Sequence, residues 1–212
     1  MRKLIFFGIT ALIIGTGAFL WFWIQTPERD NGNIGEYVNT VFVPEVEEIL
    51  DDKIAMIAVL VQDRVIVSEV RKSNERNKNL SLQDILKLDK QWREAPNDDN
   101  FIQGFLNNAV AVRLIEFQNT SAGFPEIFVV DMYGLNVGQT NKTTDFYQAD
   151  EDWWVRSYNK GAGLAFHGPI EFDESAQKVA IALYVPVVDP TTNKVIGVTK
   201  AIVDIASIKS EL

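Results

Sequence analysis

The run from Leu4 to Ile24, LIFFGITALIIGTGAFLWFWI, carries no charge and only small polar residues. A helix rises about 1.5 Å per residue, so this run is long enough to cross a hydrocarbon core of roughly 30 Å. Arg2 and Lys3 precede it, and Glu28, Arg29 and Asp30 follow. Basic residues favour the cytoplasmic flank of a span, which orients the N-terminus inward. Trp21 and Trp23 fall where interfacial aromatics sit. A cleaved signal peptide would end on small residues, whereas this run ends Trp-Phe-Trp-Ile-Gln-Thr-Pro. Residues 1–25 are therefore expected to form a cytoplasmic tip and an uncleaved anchor. The expected location is the inner (cytoplasmic) membrane, single-pass, with a periplasmic or otherwise extracytoplasmic soluble domain. The last apolar stretch, Val195 to Ile208, is interrupted by Lys200 and Asp204, so no second span is expected.

Residues 26–43 read as a linker, polar at first and containing Pro27, Gly32 and Gly35. Residues 44–212 then make one domain, long enough to close a core without disulfides or metals. There is no cysteine, which excludes disulfides and thiolate chemistry. The net charge of −9 lacks the basic stripe that nucleic acid requires, so no nucleic-acid partner is expected.

Pro44 suits a first helical turn, and Glu45, Glu47 and Glu48 suit its positive dipole end. Val46, Leu50, Ile54, Ile57, Val61, Val65 and Ser68 recur at helical period, which predicts one helix to about Arg76. That stripe packs either on its own domain or in a parallel homodimer of helices. Ser81 opens a second helix, with Asp84 completing a weak capping box and Leu82, Ile85, Leu86, Leu88 and Trp92 on its apolar face. A third helix is expected from about Asn100 to Gln118, burying Phe101, Phe105, Val112 and Ile115.

After Gly123 the period turns strand-like. Glu126 to Asp131 reads as a buried strand, Met132-Tyr133-Gly134 as a turn, and Leu135 to Thr140 as the returning strand. Asp150 is expected to cap a helix holding Trp153 and Trp154 and ending at Gly161-Ala162-Gly163. Three further strands are expected around 164–172, 178–188 and 194–205, with Val179, Ile181, Leu183 and Val185 alternating as on a half-buried strand. The fold class is α+β: a transmembrane helix, a long helix, then a PAS-like antiparallel sheet of five strands with helices.

The stretches VVDMYGLNVGQTNKTTDFYQADEDWW, the turn at Asp173, and YVPVVDPTTNKVIGVTKAIVDI resemble the extracytoplasmic sensor domains called Cache or PDC domains. Upstream, LSLQDILKLDKQWR is similar to the helix those domains place before the sheet. The resemblance implies a small-molecule site between the sheet and the loop-helix crossing it, in the sensing part of a chemoreceptor, kinase or cyclic-dinucleotide enzyme. Two departures stand out. Amino-acid-binding members carry Arg two places before a Trp-Tyr pair, where this chain has Glu151 before Trp153-Trp154. The family's Asp for the ligand amino group has no match in Thr199-Lys200-Ala201-Ile202-Val203. Amino-acid sensing is therefore not implied.

The expected ligand-binding residues are Asp145, Tyr147, Gln148, Trp153, Trp154, Asp173 and Tyr184, which combine aromatic surface with a few polar groups. Carboxylates beside aromatics suit a neutral or cationic small molecule. Three of these have a plainer role as well: Trp153 and Trp154 can close the core, and Asp145, like Asp150, can cap a turn or the helix. His167, the only histidine, suits a surface or hydrogen-bonded place better than a metal. Asp131, Asp145, Asp150 and Glu151 match no calcium-loop spacing, so no metal and no cofactor are expected. No G-x-S-x-G, HExxH or phosphate-cradling glycine loop occurs, and no enzymatic activity is expected. The reading is a membrane-anchored sensor acting through a separate partner membrane protein. The alternative is an accessory structural subunit of a larger membrane complex, using the same domain for docking.

Overall fold

The computed structural model describes residues 41–212, and the expected anchor and most of the linker lie outside the described residues. Among the described residues, no helix is long and apolar enough to cross a membrane. Helices come first: α1 (Pro44–Leu60), α2 (Arg64–Asn77), α3 (Leu82–Glu94), α4 (Asn100–Leu106) and α5 (Ala109–Thr120). Then follow β1 (Glu126–Asp131), β2 (Asn136–Gln139), α6 (Asp152–Tyr158), β3 (Phe166–Asp173), β4 (Lys178–Asp189), β5 (Lys194–Asp204) and α7 (Ile205–Glu211). The five strands form one antiparallel sheet in the order β2-β1-β5-β4-β3.

Two of the expected helices are broken. The stripe from Val46 to Ser68 is not one helix, because the chain turns at Val61–Asp63 and the Asp63 carboxylate caps α2 by accepting from Val65 N–H at 2.7 Å. The buried face changes phase there: Leu50 and Ile57 of α1 are buried, but in α2 it is Ile66, Val67 and Val70. The expected helix from Asn100 likewise divides at Asn107–Asn108, where Asn108 accepts from Ala111 N–H at 3.0 Å. Val110, Ala111 and Leu114 are buried in its second part, while Val112 and Ile115, expected inside, are exposed. The capping box of α3 is present, with Asp84 N–H donating to Ser81 Oγ at 3.2 Å and Ser81 N–H donating back to Asp84 at 3.1 Å. Ile85 and Trp92 are buried on that helix, whereas Leu82 and Leu86 point to solvent.

Strand register fixes which side chains share a face, since paired residues of antiparallel strands point the same way. Ile127, Val129, Ile181, Leu183, Val185, Ala201 and Val203 face the helices and join Leu50, Ile57, Ile66, Val70, Val110 and Leu114 in the main core. The apolar stripe of α1 is thus spent inside its own domain, on β4. Gly138 also faces this side, where a Cβ would lie 2.6 Å from Val110. The opposite face carries Phe128, Val130, Ala180, Ala182, Tyr184, Val198 and Ile202, covered by Trp153, Trp154 and Tyr158 from α6. Strand β4 is therefore buried on both faces from Ala180 to Val185, and not half-buried, while Val179 at its open end is exposed.

The turn between β1 and β2 is held from beneath. Asp131, fully buried, accepts from Ser73 Oγ (2.9 Å), Asn77 Nδ2 (2.7 Å) and the N–H groups of Tyr133 and Leu135. Gly134 has φ +76°, and a Cβ there would lie 2.5 Å from Ala149 N.

Candidate ligand-binding face

The sheet face under α6 is built around one rung. Gln139, Phe128, Lys200, Tyr184 and Phe166 are successive register partners across all five strands. Adjacent strands are roughly 4.8 Å apart, so these side chains stand in a row about 20 Å long. Trp153 stacks on Tyr184 at 5.1 Å, and Phe166 tilts against Tyr184 at 4.8 Å. The Lys200 ammonium lies 5.9 Å from the Phe128 ring centre and 5.8 Å from that of Trp153, within cation–π reach of both. Arg156 lies over the Phe166 ring at 4.0 Å.

One residue along the same face stands Glu126, paired in register with Ile202. It is fully buried, and its Oε1 lies at hydrogen-bond distance, 2.7 Å, from Ser175 Oγ. Burial pushes its carboxyl up to about 7, against the lowering effect of the Ser175 hydroxyl. Asp173 is the counterpart. Burial acts to raise it, but Ala176 N–H, donating at 2.9 Å, and Lys200, 3.4 Å away, hold its carboxyl below the ordinary range. Tyr184 is buried, which raises its phenol well above the ordinary value.

The expected site residues fall into two groups. Tyr184 belongs to the rung, Trp153 stacks on it from α6, and Asp173 reaches the rung through Lys200. Asp145, Tyr147 and Gln148 belong to the loop between β2 and α6, and their contacts run toward α3. Asp89 on α3 accepts from the N–H groups of Phe146 (2.9 Å) and Tyr147 (3.1 Å). Tyr147 bridges to Leu135 and packs by the buried cluster of Trp92, Ile102 and Phe146. Gln148 donates to both the carbonyl and the carboxylate of Asp145. Burial pushes the Asp145 carboxyl up to about 6, with the Gln148 bond opposing and the charges of Asp89, Glu151 and Asp150 adding. Trp154 stacks on Tyr158 at 4.8 Å above Phe128, Val130 and Val198. Asp150 does not cap α6: the N-cap is Glu151, without a side-chain bond. His167 ties sheet to helix, its Nε2 2.9 Å from Glu47 Oε2.

Buried polar atoms without a partner collect on this face. They are both amide atoms of Gln139, Glu126 Oε2, Trp154 Nε1 and Asn136 Oδ1. Thr199 Oγ1 is a further such atom, on the helix-facing side. A buried polar group left unpaired costs about 1–3 kcal/mol, so these atoms favour a partner such as water or a bound molecule. Gln139, Glu126 and Lys200 were not among the expected residues. The sequence signal was faint: Glu126 and Lys200 are polar residues at inward parity within otherwise apolar strands.

No protein-family model and no curated protein matches the sequence. Solved structures do. The sensory domain of the Campylobacter jejuni chemoreceptor Tlp3, with isoleucine bound, is 13% identical at a TM-score of 0.39, over 81% of this chain and 67% of that one. The sensor domain of E. coli DcuS is 14% identical at 0.35, over 61% and 92%. The sensor domain of the V. cholerae histidine kinase DctB is 17% identical at 0.35, over 71% and 60%. These three solved structures are Cache/PDC sensor domains.

Proposed function

We propose that the chain is a membrane-anchored, extracytoplasmic sensor domain that binds a small molecule under α6 and acts through a separate partner. The observation that carries this reading is Gln139: fully buried on the α6 side of the sheet, with neither its amide nitrogen nor its oxygen hydrogen-bonded. The anchor is residues 1–25 and the sensing domain residues 44–212. Among the expected residues, Trp153, Tyr184 and Asp173 line the central part of the site, while Asp145, Tyr147, Gln148 and Trp154 shape its cover. Lys200 stands at the centre of the rung, so the carboxylates do not present an uncompensated negative lining. A small neutral molecule with both donors and acceptors fits these groups better than a cation.

A thermal-shift screen of the full-length chain tests this. A neutral polar ligand at 100 times its Kd stabilises the domain by about 2.7 kcal/mol. Gln139→Leu keeps the domain folded and abolishes that shift. The accessory-subunit reading has its own support, because Trp153 on Tyr184 and Trp154 on Tyr158 fill much of the face with their own packing. A screen in which no neutral or charged small molecule raises the melting temperature would favour that reading.

A further inference from the structure

Ser175 lies between two carboxyl groups, with its Oγ 2.7 Å from Glu126 Oε1 and 2.9 Å from Asp173 Oδ1. A serine hydroxyl carries one proton and can donate it to one acceptor. If both carboxyls were ionised, one of these two close contacts would have no proton between its oxygens. One carboxyl must therefore hold a proton and donate it to Ser175, which passes its own to the other.

The surroundings decide which. Asp173 Oδ1 also accepts the Ala176 N–H, and its Oδ2 faces Lys200 at 3.4 Å. Both contacts favour the anion. Glu126 is fully buried, its Oε2 has no partner, and Asp173 is its negative neighbour; Lys200 and Asn141 act the other way, but burial is the largest effect. Both burial and the Asp173 charge favour the neutral acid.

We propose that Glu126 is a proton-binding group of the sensor face, a neutral acid donating through Ser175 to ionised Asp173, and that its proton couples ligand binding to pH. The coupling rests on the ligand site proposed above; the proton site does not. With Glu126 neutral, its free Oε2 is a carbonyl-like acceptor that calls for a donor on the ligand. Losing the proton adds a negative charge beside Lys200 and leaves Ser175 able to satisfy only one of its two neighbours. The charged groups that act on Glu126 are Asp173 from β3 and Lys200 from β5; Glu171 of β3 and Asp204 of β5, the latter paired to Lys178 at 2.7 Å, share its face of the sheet. From α6, Glu151 and Arg156 act across the same face on Tyr184. Burial, which pushes the Glu126 carboxyl up to about 7, agrees with the proton count.

Infrared spectroscopy of the full-length, ligand-free chain reads the proton directly. At about pH 6 ordinary carboxyls are ionised and Asp145, pushed up to about 6, contributes an aspartate band of its own; beside it a protonated-glutamate C=O band is expected. It should disappear in Glu126→Gln and persist in Asp173→Asn. Carbon-13 labelling of glutamate in the unmutated protein should shift the same band, and labelling of aspartate should leave it in place, so the assignment does not depend on any variant folding. Protonated-carboxyl bands that shift with labelled aspartate only, with none that shifts with labelled glutamate, overturn the proposal. Since no ligand is present, that outcome is distinct from a failed ligand screen.

Discussion

Asp89 offers a measurable handle on the loop between β2 and α6. Its Oδ1 accepts from Phe146 N–H at 2.9 Å and Tyr147 N–H at 3.1 Å, and its Oδ2 meets Arg93 at 2.9 Å. The carboxylate is almost fully buried, while Arg93 is more than half exposed. Asp89→Ala would strip two backbone donors of their partner inside the protein. Each such loss costs about 1–3 kcal/mol; the exposed arginine adds little. With some relaxation of the loop, the total is about 2–4 kcal/mol. In a domain of this size about 1 kcal/mol moves Tm by 2–4 °C, so the melting point should fall by roughly 5–15 °C. Asp89→Asn keeps a side-chain oxygen facing the two donors and should cost well under half as much. Amide exchange adds the local readout, because Phe146 and Tyr147 should lose protection in the alanine variant ahead of the β1 and β5 amides. Unchanged protection at those two residues, or a cost below about 0.5 kcal/mol, would refute the claim that α3 pins the loop through this carboxylate.

Two further outcomes follow from burial and from charge. Leu50→Ala, at a fully buried position in the main core, should cost about 2–5 kcal/mol by urea unfolding, whereas Val59→Ala on the exposed side of α1 should stay within about 0.5 kcal/mol. For Asp145, burial raises the folded carboxyl to about 6, so between its unfolded value and 6 the folded state keeps a proton that the unfolded state has released. Stability from this group is therefore present at lower pH and lost as pH rises through about 6, and Asp145→Asn should flatten that part of the stability profile.

Much of the fold was legible because strands and helix starts carry local chemistry. Glu126 to Asp131 forms the strand that its apolar run predicted, and Ser81 with Asp84 forms the box that its spacing predicted. The two helix breaks were not legible, for one physical reason. Val61 and Val65 keep a helical gap of four across the turn at Asp63, so periodicity runs straight through a break that capping creates. Asn107-Asn108 hides the same way inside an apolar stretch. The second asparagine works in both directions, capping α5 while its Nδ2 donates to the Val137 carbonyl at 2.7 Å. That long-range bond, absent from any local pattern, sets the phase of α5 and leaves Val112 and Ile115 outside.

The site was half legible, and the missing half bears on its electrostatics. Trp153, Tyr184 and Asp173 announce themselves by residue type. Gln139, Glu126 and Lys200 become neighbours only through strand register, which joins positions far apart in the chain. Read along the sequence, Lys200 merely interrupts an apolar segment and Glu126 merely begins a strand. Placed on the face, Lys200 balances Asp173, and Glu126 can hold its own proton. The carboxyl at Asp173, which looks uncompensated along the sequence, thus meets a balancing cation on the face. The remaining needs of the face are hydrogen bonds, at the Gln139 amide, the Trp154 indole and Glu126 Oε2. Under the proposed function, a ligand of such a face would be distinguished by where its donors and acceptors lie.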